Sequence, residues 1–72
     1  MQLLTSLKEV RLRKELTQEA LAAAVGVTRQ TIIAVEKGKF VPSVKLALQL
    51  AGVLNTPVAK LFWLEAGRGG RQ

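Results

Sequence analysis

The chain has 72 residues, and 11 lysines and arginines against five glutamates give it a formal net charge of +6. It contains no Cys, His, Asp or Tyr, which excludes zinc fingers, disulfide-rich secreted scaffolds and most acid-base or nucleophilic enzymes. The charge favours a polyanionic partner, and the 49% apolar content suffices for one small core, either efficient by itself or completed by a second chain.

Neither a membrane span nor a signal peptide is predicted. The longest nearly apolar stretch, residues 46–54, falls well short of the roughly 20 residues needed to cross a bilayer. The N-terminus has no basic segment leading into an apolar one. We therefore expect a cytoplasmic protein with no membrane partner.

The apolar spacing predicts a first helix over residues 6–14. Ser6 and Glu9 fit a capping box at its start, in which each side chain bonds to the backbone amide of the other residue. Leu3 and Leu4 are expected either to pack against this helix or to extend it by a turn.

Two further helices follow, and each has a threonine cap and a glycine stop. The second begins after Thr17 and ends at Gly26, where a left-handed backbone conformation favours glycine. The third begins after Thr28 and ends at Gly38. Its polar first turn, residues 29–31, is predicted to be exposed.

A fourth helix is predicted from Ser43, its cap, through Leu54, with Asn55 as its stop. Thr56 as cap and Pro57 as first helical residue then open a short fifth helix that ends near Phe62. β-branched residues never alternate over the length of a strand, so the pattern predicts an all-α fold, a compact five-helix bundle. The residues predicted to form the buried stripe of the fourth helix are Val44, Ala47, Leu48 and Ala51.

The second and third helices, joined by a short turn with Gly26, have the plan of a helix-turn-helix at about residues 18–37. Ala22 is small where the third helix is expected to cross, and Ile32 and Val35 hold the two helices at a fixed angle. Such an angle lets the third helix project into the major groove of DNA. An ordinary αα-hairpin in a small bundle is the alternative.

Several segments carry a resemblance to a known family: residues 16–22, 25–32, 35–38 and 42–43, with agreement continuing from 46–48 to 61–62. They resemble the lambdoid repressor and Cro type of helix-turn-helix domain, also called the xenobiotic response element family. The resemblance implies a lambda-repressor-like, Cro/C1-type domain over residues 1–66. It also implies that the domain binds double-stranded DNA and regulates transcription, without catalysis, metal or other cofactor.

The resemblance places two groups of residues against DNA, and it implies that one of these residues, Gln18, also braces the third helix. Geometry supports three of these residues independently. Arg29 can pair with guanine and Gln30 with adenine through two hydrogen bonds each, and the Thr28 methyl group can meet the methyl group of thymine. For each lysine an ordinary solvated surface charge is the alternative. The residues at base-reading positions are Thr28, Arg29, Gln30, Ile33 and Ala34, and those at phosphate-binding positions are Gln18, Thr31, Lys37, Lys39 and Ser43.

Three further features concern the frame of the domain. Arg11 and Glu36 match residues that form a partly buried ion pair between the first and third helices of relatives. Glu15 stands where relatives often have glycine, so either Glu15 adopts a left-handed backbone or the turn takes another form. Trp63 and Leu64 are expected to form a dimer contact, with a short C-terminal dimerisation strand paired across a two-fold axis as one form of it. A lid on the core is the alternative for Trp63.

We therefore predict a repressor that binds a palindromic operator as a homodimer and lies at the nucleoid. The alternative is an antitoxin or adaptor whose main partner is another protein, such as a toxin. The Gly- and Arg-rich residues 67–72 are expected to form a flexible tail, with insertion of Arg68 and Arg71 into a minor groove as the alternative. No small-molecule substrate is evident.

Overall fold

The computed structural model describes residues 2–65, in which five helices are joined by short turns and two short strands pair into a sheet. The tail predicted at residues 67–72 lies outside the described residues. No helix within residues 2–65 is long and apolar enough to cross a membrane. In chain order the elements are β1 (Leu3–Thr5), α1 (Leu7–Arg13), α2 (Gln18–Val25), α3 (Arg29–Glu36), α4 (Val44–Leu54), α5 (Val58–Leu61) and β2 (Phe62–Leu64).

The predicted caps at the starts of α2, α3 and α4 and the predicted stops of α2 and α4 are confirmed. Thr17 Oγ1 accepts a hydrogen bond of 2.9 Å from the amide three residues on, and Thr28 Oγ1 and Ser43 Oγ do the same at 3.2 and 3.0 Å. Gly26 ends α2 with a φ of 74°, and Asn55 ends α4 with a φ of 50°. Each of these devices acts within one helical turn, which is why the sequence predicts them well.

The start of α1 differs from the predicted capping box. Ser6 caps no amide of α1, and its Oγ instead donates to the Lys60 carbonyl at 2.7 Å. Thr5 Oγ1 accepts from the Leu7 amide at 3.1 Å and donates to the Leu61 carbonyl at 2.9 Å. The capping-box prediction is wrong because the hydroxyls of both residues donate to carbonyls of α5, which lie 56 and 54 residues away in sequence.

The turn between α1 and α2 contains a strained residue. Glu15 adopts the left-handed conformation with a φ of 59°, the first of the two forms that the sequence left open. A left-handed non-glycine residue costs roughly 1–2 kcal/mol. The Leu16 amide donates to the Arg11 carbonyl at 3.1 Å, and Arg11 Nη1 donates to the Leu16 carbonyl at 2.7 Å. These two bonds across the turn hold Glu15 in place.

α4 turns a different face to the core from the one predicted. Leu46, Leu50 and Leu54 are buried, whereas Val44 and Leu48 are 76% and 55% exposed. The two alanines of the predicted stripe are half-buried. The predicted stripe is wrong because α4 is apolar around most of its circumference, so helical spacing alone does not select the side that packs.

α5 is shorter than predicted. It ends at Leu61, and Phe62 already has the extended backbone of β2. Pro57 precedes the helix with a ψ of 141°, so it is not the first helical residue. The Thr56 hydroxyl donates to the Leu54 carbonyl at 2.9 Å and does not cap α5.

The two strands form a small antiparallel sheet that the helical prediction did not include within the chain. Leu3 and Leu4, which were expected to pack on α1 or extend it, belong to β1. The expected C-terminal strand is present as β2, but its partner is β1 of the same chain. Strands of three residues are too short to show an alternating pattern. The paired residues are Leu3 with Leu64, Leu4 with Trp63, and Thr5 with Phe62.

One hydrophobic core joins the five helices. α2 packs against both α3 and α4, and α5 packs against α4, so the reading helix of the predicted motif rests on the centre of the domain. Full burial of a leucine or isoleucine contributes about 1.5–3 kcal/mol, which makes this core the main source of stability. The core residues are Leu7, Val10, Leu21, Ala22, Val25, Ile32, Val35, Leu46, Leu50, Leu54 and Leu61.

Candidate nucleic-acid interface

The turn between α2 and α3 fixes the angle of these two helices. Gly26 has a φ of 74°, and the Val27 amide after it donates to the Ala22 carbonyl at 3.0 Å. Ala22 is buried, as are Ile32 and Val35 of α3. α3 is therefore anchored by its apolar side, and its opposite side is left to solvent.

The first turn of α3 presents polar side chains to solvent. Thr28, Arg29 and Gln30 are exposed, and within residues 2–65 Arg29 has no ion-pair partner. Ile33 and Ala34, the other two candidate base readers, are half-buried one turn further along. The exposed candidate base readers therefore lie at the cap and in the first turn of α3.

A buried polar network connects α1, α2 and α3. Arg11 Nε donates to Glu36 Oε2 at 2.6 Å, and Arg11 Nη2 donates to Glu36 Oε1 at 3.3 Å. Gln18 Nε2 donates to the same Oε1 at 3.0 Å. The side chains of Arg11 and Glu36 are only 7% and 4% exposed. The structure therefore brings the predicted ion pair together and adds Gln18, which braces the end of α3 from the start of α2.

A cleft of about 570 Å³ lies between the helix-turn-helix and the start of α4. Thr31 lines it from α3 and Ser43 from the cap of α4, so two predicted phosphate-binding residues share one surface. Lys45 and Gln49 also line this cleft, and none of its lining residues is acidic. The sequence reasoning missed these two residues. Their positions on the first two turns after the Ser43 cap were the signal that could have found them.

Lys37 and Lys39 lie at the other end of α3 from the polar first turn. Both are exposed, and the Lys39 amide donates to the Ala34 carbonyl at 2.9 Å. At 1.5 Å of rise per residue, Lys37 lies about 12 Å along the helix axis from Arg29. The structure therefore separates these two lysines from the candidate base readers.

The side chains at this surface are suited to bind a polyanion. It offers guanidinium, amide, hydroxyl and ammonium donors on a rigid helix and its neighbours. Among residues 2–65 no group of His, Cys, Asp and Glu gathers that could hold a metal ion. The surface and the fold together define a helix-turn-helix DNA-binding domain.

Comparison with known sequences places the chain among regulators of transcription. A family model described as helix-turn-helix matches residues 7–61. The uncharacterized HTH-type transcriptional regulator YgzD of Bacillus subtilis is 48% identical over 58 residues, which are 81% of this chain and 88% of that protein. The cryptic phage CTXphi transcriptional repressor RstR of Vibrio cholerae is 32% identical over 57 residues, 79% of this chain and 51% of that protein.

A solved structure agrees with these sequence relatives. The restriction-modification controller protein C.AhdI from Aeromonas hydrophila matches with a TM-score of 0.71 and 35% identity, over 75% of this chain and 78% of that chain. The chain belongs to the Cro/C1-type helix-turn-helix family and is a transcriptional regulator with a DNA-binding domain. This family is not an enzyme family.

Proposed function

We propose that the chain is a repressor that binds a palindromic operator as a homodimer, with α3 in the major groove. The observation that carries the proposal is the exposed polar first turn of α3, on a helix whose last residue, Glu36, accepts hydrogen bonds from Arg11 and Gln18. The repressor RstR is a relative by sequence, which supports repression as the direction of regulation.

Thr28, Arg29 and Gln30 are the proposed base readers. Arg29 can donate two hydrogen bonds to O6 and N7 of guanine. Gln30 can donate to N7 of adenine and accept from its N6 amino group. The Thr28 methyl group can meet the methyl group of thymine. Ile33 and Ala34 are half-buried and offer only short apolar contacts, so they contribute less to base choice.

The proposed phosphate contacts lie on both sides of α3. One Nε2 hydrogen of Gln18 is donated to Glu36, which leaves the second for a phosphate at the N-terminus of α2. Thr31, Ser43 and Lys45 line one cleft, where a phosphate of the adjacent backbone would meet donors from two helices. The two remaining phosphate-binding candidates, exposed near the end of α3, are Lys37 and Lys39.

The homodimer follows from the small size of the reading element. A single eight-residue helix contacts few base pairs, which is too few to specify one site in a genome. Two copies related by a two-fold axis read a palindrome whose half-sites lie about 34 Å apart.

Selection of binding sites from random duplex DNA tests this proposal. The selected sequences should share a palindrome with half-sites one helical turn apart, and affinity should fall steeply with added salt. A consensus with a single unrepeated half-site would contradict the homodimer, and the absence of any consensus would contradict sequence-specific binding.

A protein partner is the second candidate function, and the exposed Trp63 and Leu64 favour it. An antitoxin or adaptor would co-purify with a second, different chain such as a toxin in a fixed ratio. Its binding to DNA would depend on that partner. Selection with the isolated chain separates the two functions, because only the repressor yields a palindrome without a partner.

A further inference from the structure

The outer edge of β2 has backbone groups that the sheet leaves unpaired. The Ser6 amide donates to the Leu61 carbonyl at 3.0 Å, and the Glu65 amide donates to the Gln2 carbonyl at 2.8 Å. Hydrogen-bonded pairs alternate along an antiparallel ladder, so the pair between these two is Leu4 with Trp63. The backbone groups of the residues on either side of Trp63 therefore point away from β1.

Two of these groups are available to a further strand. The amide at the end of α5, on Phe62, donates to the Val58 carbonyl. The Phe62 carbonyl and the Leu64 amide have no hydrogen-bond partner among residues 2–65. β2 also contains no charge and no proline, which are the usual protections of a strand edge. Trp63 and Leu64 are 42% and 57% exposed, whereas β1 is half-buried throughout.

The side chains divide the sheet into an inner and an outer face. Leu3, Thr5 and Phe62 share the face that borders a pocket of about 100 Å³ beside the end of α3. Leu4 and Trp63 stand opposite each other on the other face. An exposed indole beside a leucine is apolar surface without a partner in the described part of the chain.

We propose that β2 pairs with β2 of a second copy, which makes one four-stranded antiparallel sheet in the order β1, β2, β2, β1. With the two-fold axis at Trp63, each Leu64 amide donates to the Phe62 carbonyl of the second copy. The two Trp63 residues then form a pair without backbone hydrogen bonds, in which Cα atoms lie about 4.5 Å apart. A stripe of Leu4, Trp63, Trp63 and Leu4 crosses the outer face. The inference rests on the proposed homodimer.

The contact is small, which makes its formation dependent on DNA. Three residues per strand cover much less than the roughly 800 Å² per partner of a stable interface. Each copy also carries a charge of +6, which repels the other in free solution. Two copies on adjacent half-sites are neutralised by phosphates and held at a high effective concentration. The sheet therefore closes mainly on the operator and makes binding cooperative.

The single tryptophan gives a direct readout. An exciton couplet in the far-ultraviolet circular dichroism requires two indoles in contact, and each chain contains one Trp and no Tyr. We expect the couplet to appear when a palindromic duplex is added and to be absent with a half-site duplex. In the free protein it should appear only at the highest concentrations.

Two substitutions at one position separate the backbone contact from side-chain packing. Leu64→Pro removes the outward amide and leaves the ladder with β1 intact, whereas Leu64→Ala keeps the amide. Leu64→Pro should abolish the couplet and weaken binding to the palindrome by about tenfold, with half-site affinity unchanged. Leu64→Ala should retain the couplet. Thermal unfolding checks that both variants are folded. Trp63→Lys tests the same edge a second time, because in sedimentation with the palindromic duplex it should reduce the complex of two copies.

An exposed apolar face on α4 is the alternative contact between two copies, and it provides the result that would contradict the proposal. Leu48 on α4 is 55% exposed, so Leu48→Lys tests that face with the same added charge as Trp63→Lys. Loss of cooperativity in Leu48→Lys but not in Leu64→Pro overturns the proposal, as does a complex of two copies on the palindrome without a couplet. If no DNA is bound, the proposed function fails, and the concentrated free protein decides the strand pairing by presence or absence of the couplet.

Discussion

Arg29 and Gln30 extend from the first turn of α3 into solvent, so replacing either side chain should remove the proposed contacts to bases without disturbing the core. Arg29→Ala and Gln30→Ala should each lose about 1–3 kcal/mol of discrimination at one base pair. Titrations against operators with single base changes measure this loss and identify the base pair.

Lys37→Ala and Lys39→Ala are the matched controls for these variants. Both should weaken operator and random DNA alike, and each phosphate contact removed should lower the slope of log affinity against log salt by about 0.9. If Arg29→Ala also weakened both kinds of DNA equally, its assignment as a base reader would be wrong.

Variants of Arg11 and Glu36 test, at the residue scale, whether stability is linked to the proposed DNA binding. Arg11→Met leaves a buried carboxylate without its cation, and we expect the free energy of unfolding in urea to fall by about 3–5 kcal/mol. Adding Glu36→Leu should recover much of that stability, because apolar residues often replace a buried ion pair at little cost. The double variant should still bind DNA more weakly, since Gln18 has lost its acceptor. A loss under about 1 kcal/mol for Arg11→Met would indicate a solvated pair.

At the scale of elements, two glycines with open surroundings have opposite roles. A Cβ at Gly26 or at Gly52 would meet nothing within 4 Å, so only the backbone conformation decides the effect of alanine. Gly26→Ala places alanine at a φ of 74° and should lower the free energy of unfolding by about 1 kcal/mol. Gly52→Ala, inside α4, should raise it by about 0.5–1 kcal/mol. Thermal unfolding distinguishes the signs, and a gain for both variants would contradict the left-handed turn.

The face that α4 turns inward can be tested in the same way. Leu50 is fully buried and Leu48 is 55% exposed, although both are leucines on one helix two residues apart. Leu50→Ala should cost about 2–5 kcal/mol, and Leu48→Ala should stay within about 0.5 kcal/mol of the parent. The reverse order would restore the face that helical spacing predicts.

At the scale of the whole molecule, the hydroxyl of Thr5 joins the start of the described chain to its end. It donates to the Leu61 carbonyl and accepts from the Leu7 amide, so it links β1, α1 and α5. Thr5→Val keeps the shape and strand preference but leaves both backbone groups without this partner. We expect a loss of about 1–3 kcal/mol in the free energy of unfolding. Thr56→Val, which removes one bond to a carbonyl two residues away, should cost less.

Much of the domain is determined by interactions within one turn of the chain. The caps at Thr17, Thr28 and Ser43 and the stops at Gly26 and Asn55 bond to atoms a few residues away, so the sequence by itself determined where α2, α3 and α4 begin and where α2 and α4 end. The same locality determined which residues stand in the first turn of α3, where the proposed base readers lie.

Only the tertiary structure decided the features that depend on distant partners. The Ser6 hydroxyl bonds to a carbonyl of α5 instead of capping α1. Leu46 packs in the core and Val44 does not, which helical spacing does not predict because α4 is apolar on several sides. The sheet arises because segments at opposite ends of the described chain meet. Three residues per strand are too few to show an alternating apolar pattern in the sequence. Gln18 joins Glu36 for the same reason, since only packing of α2 against α3 brings an amide and a carboxylate 18 residues apart to 3.0 Å.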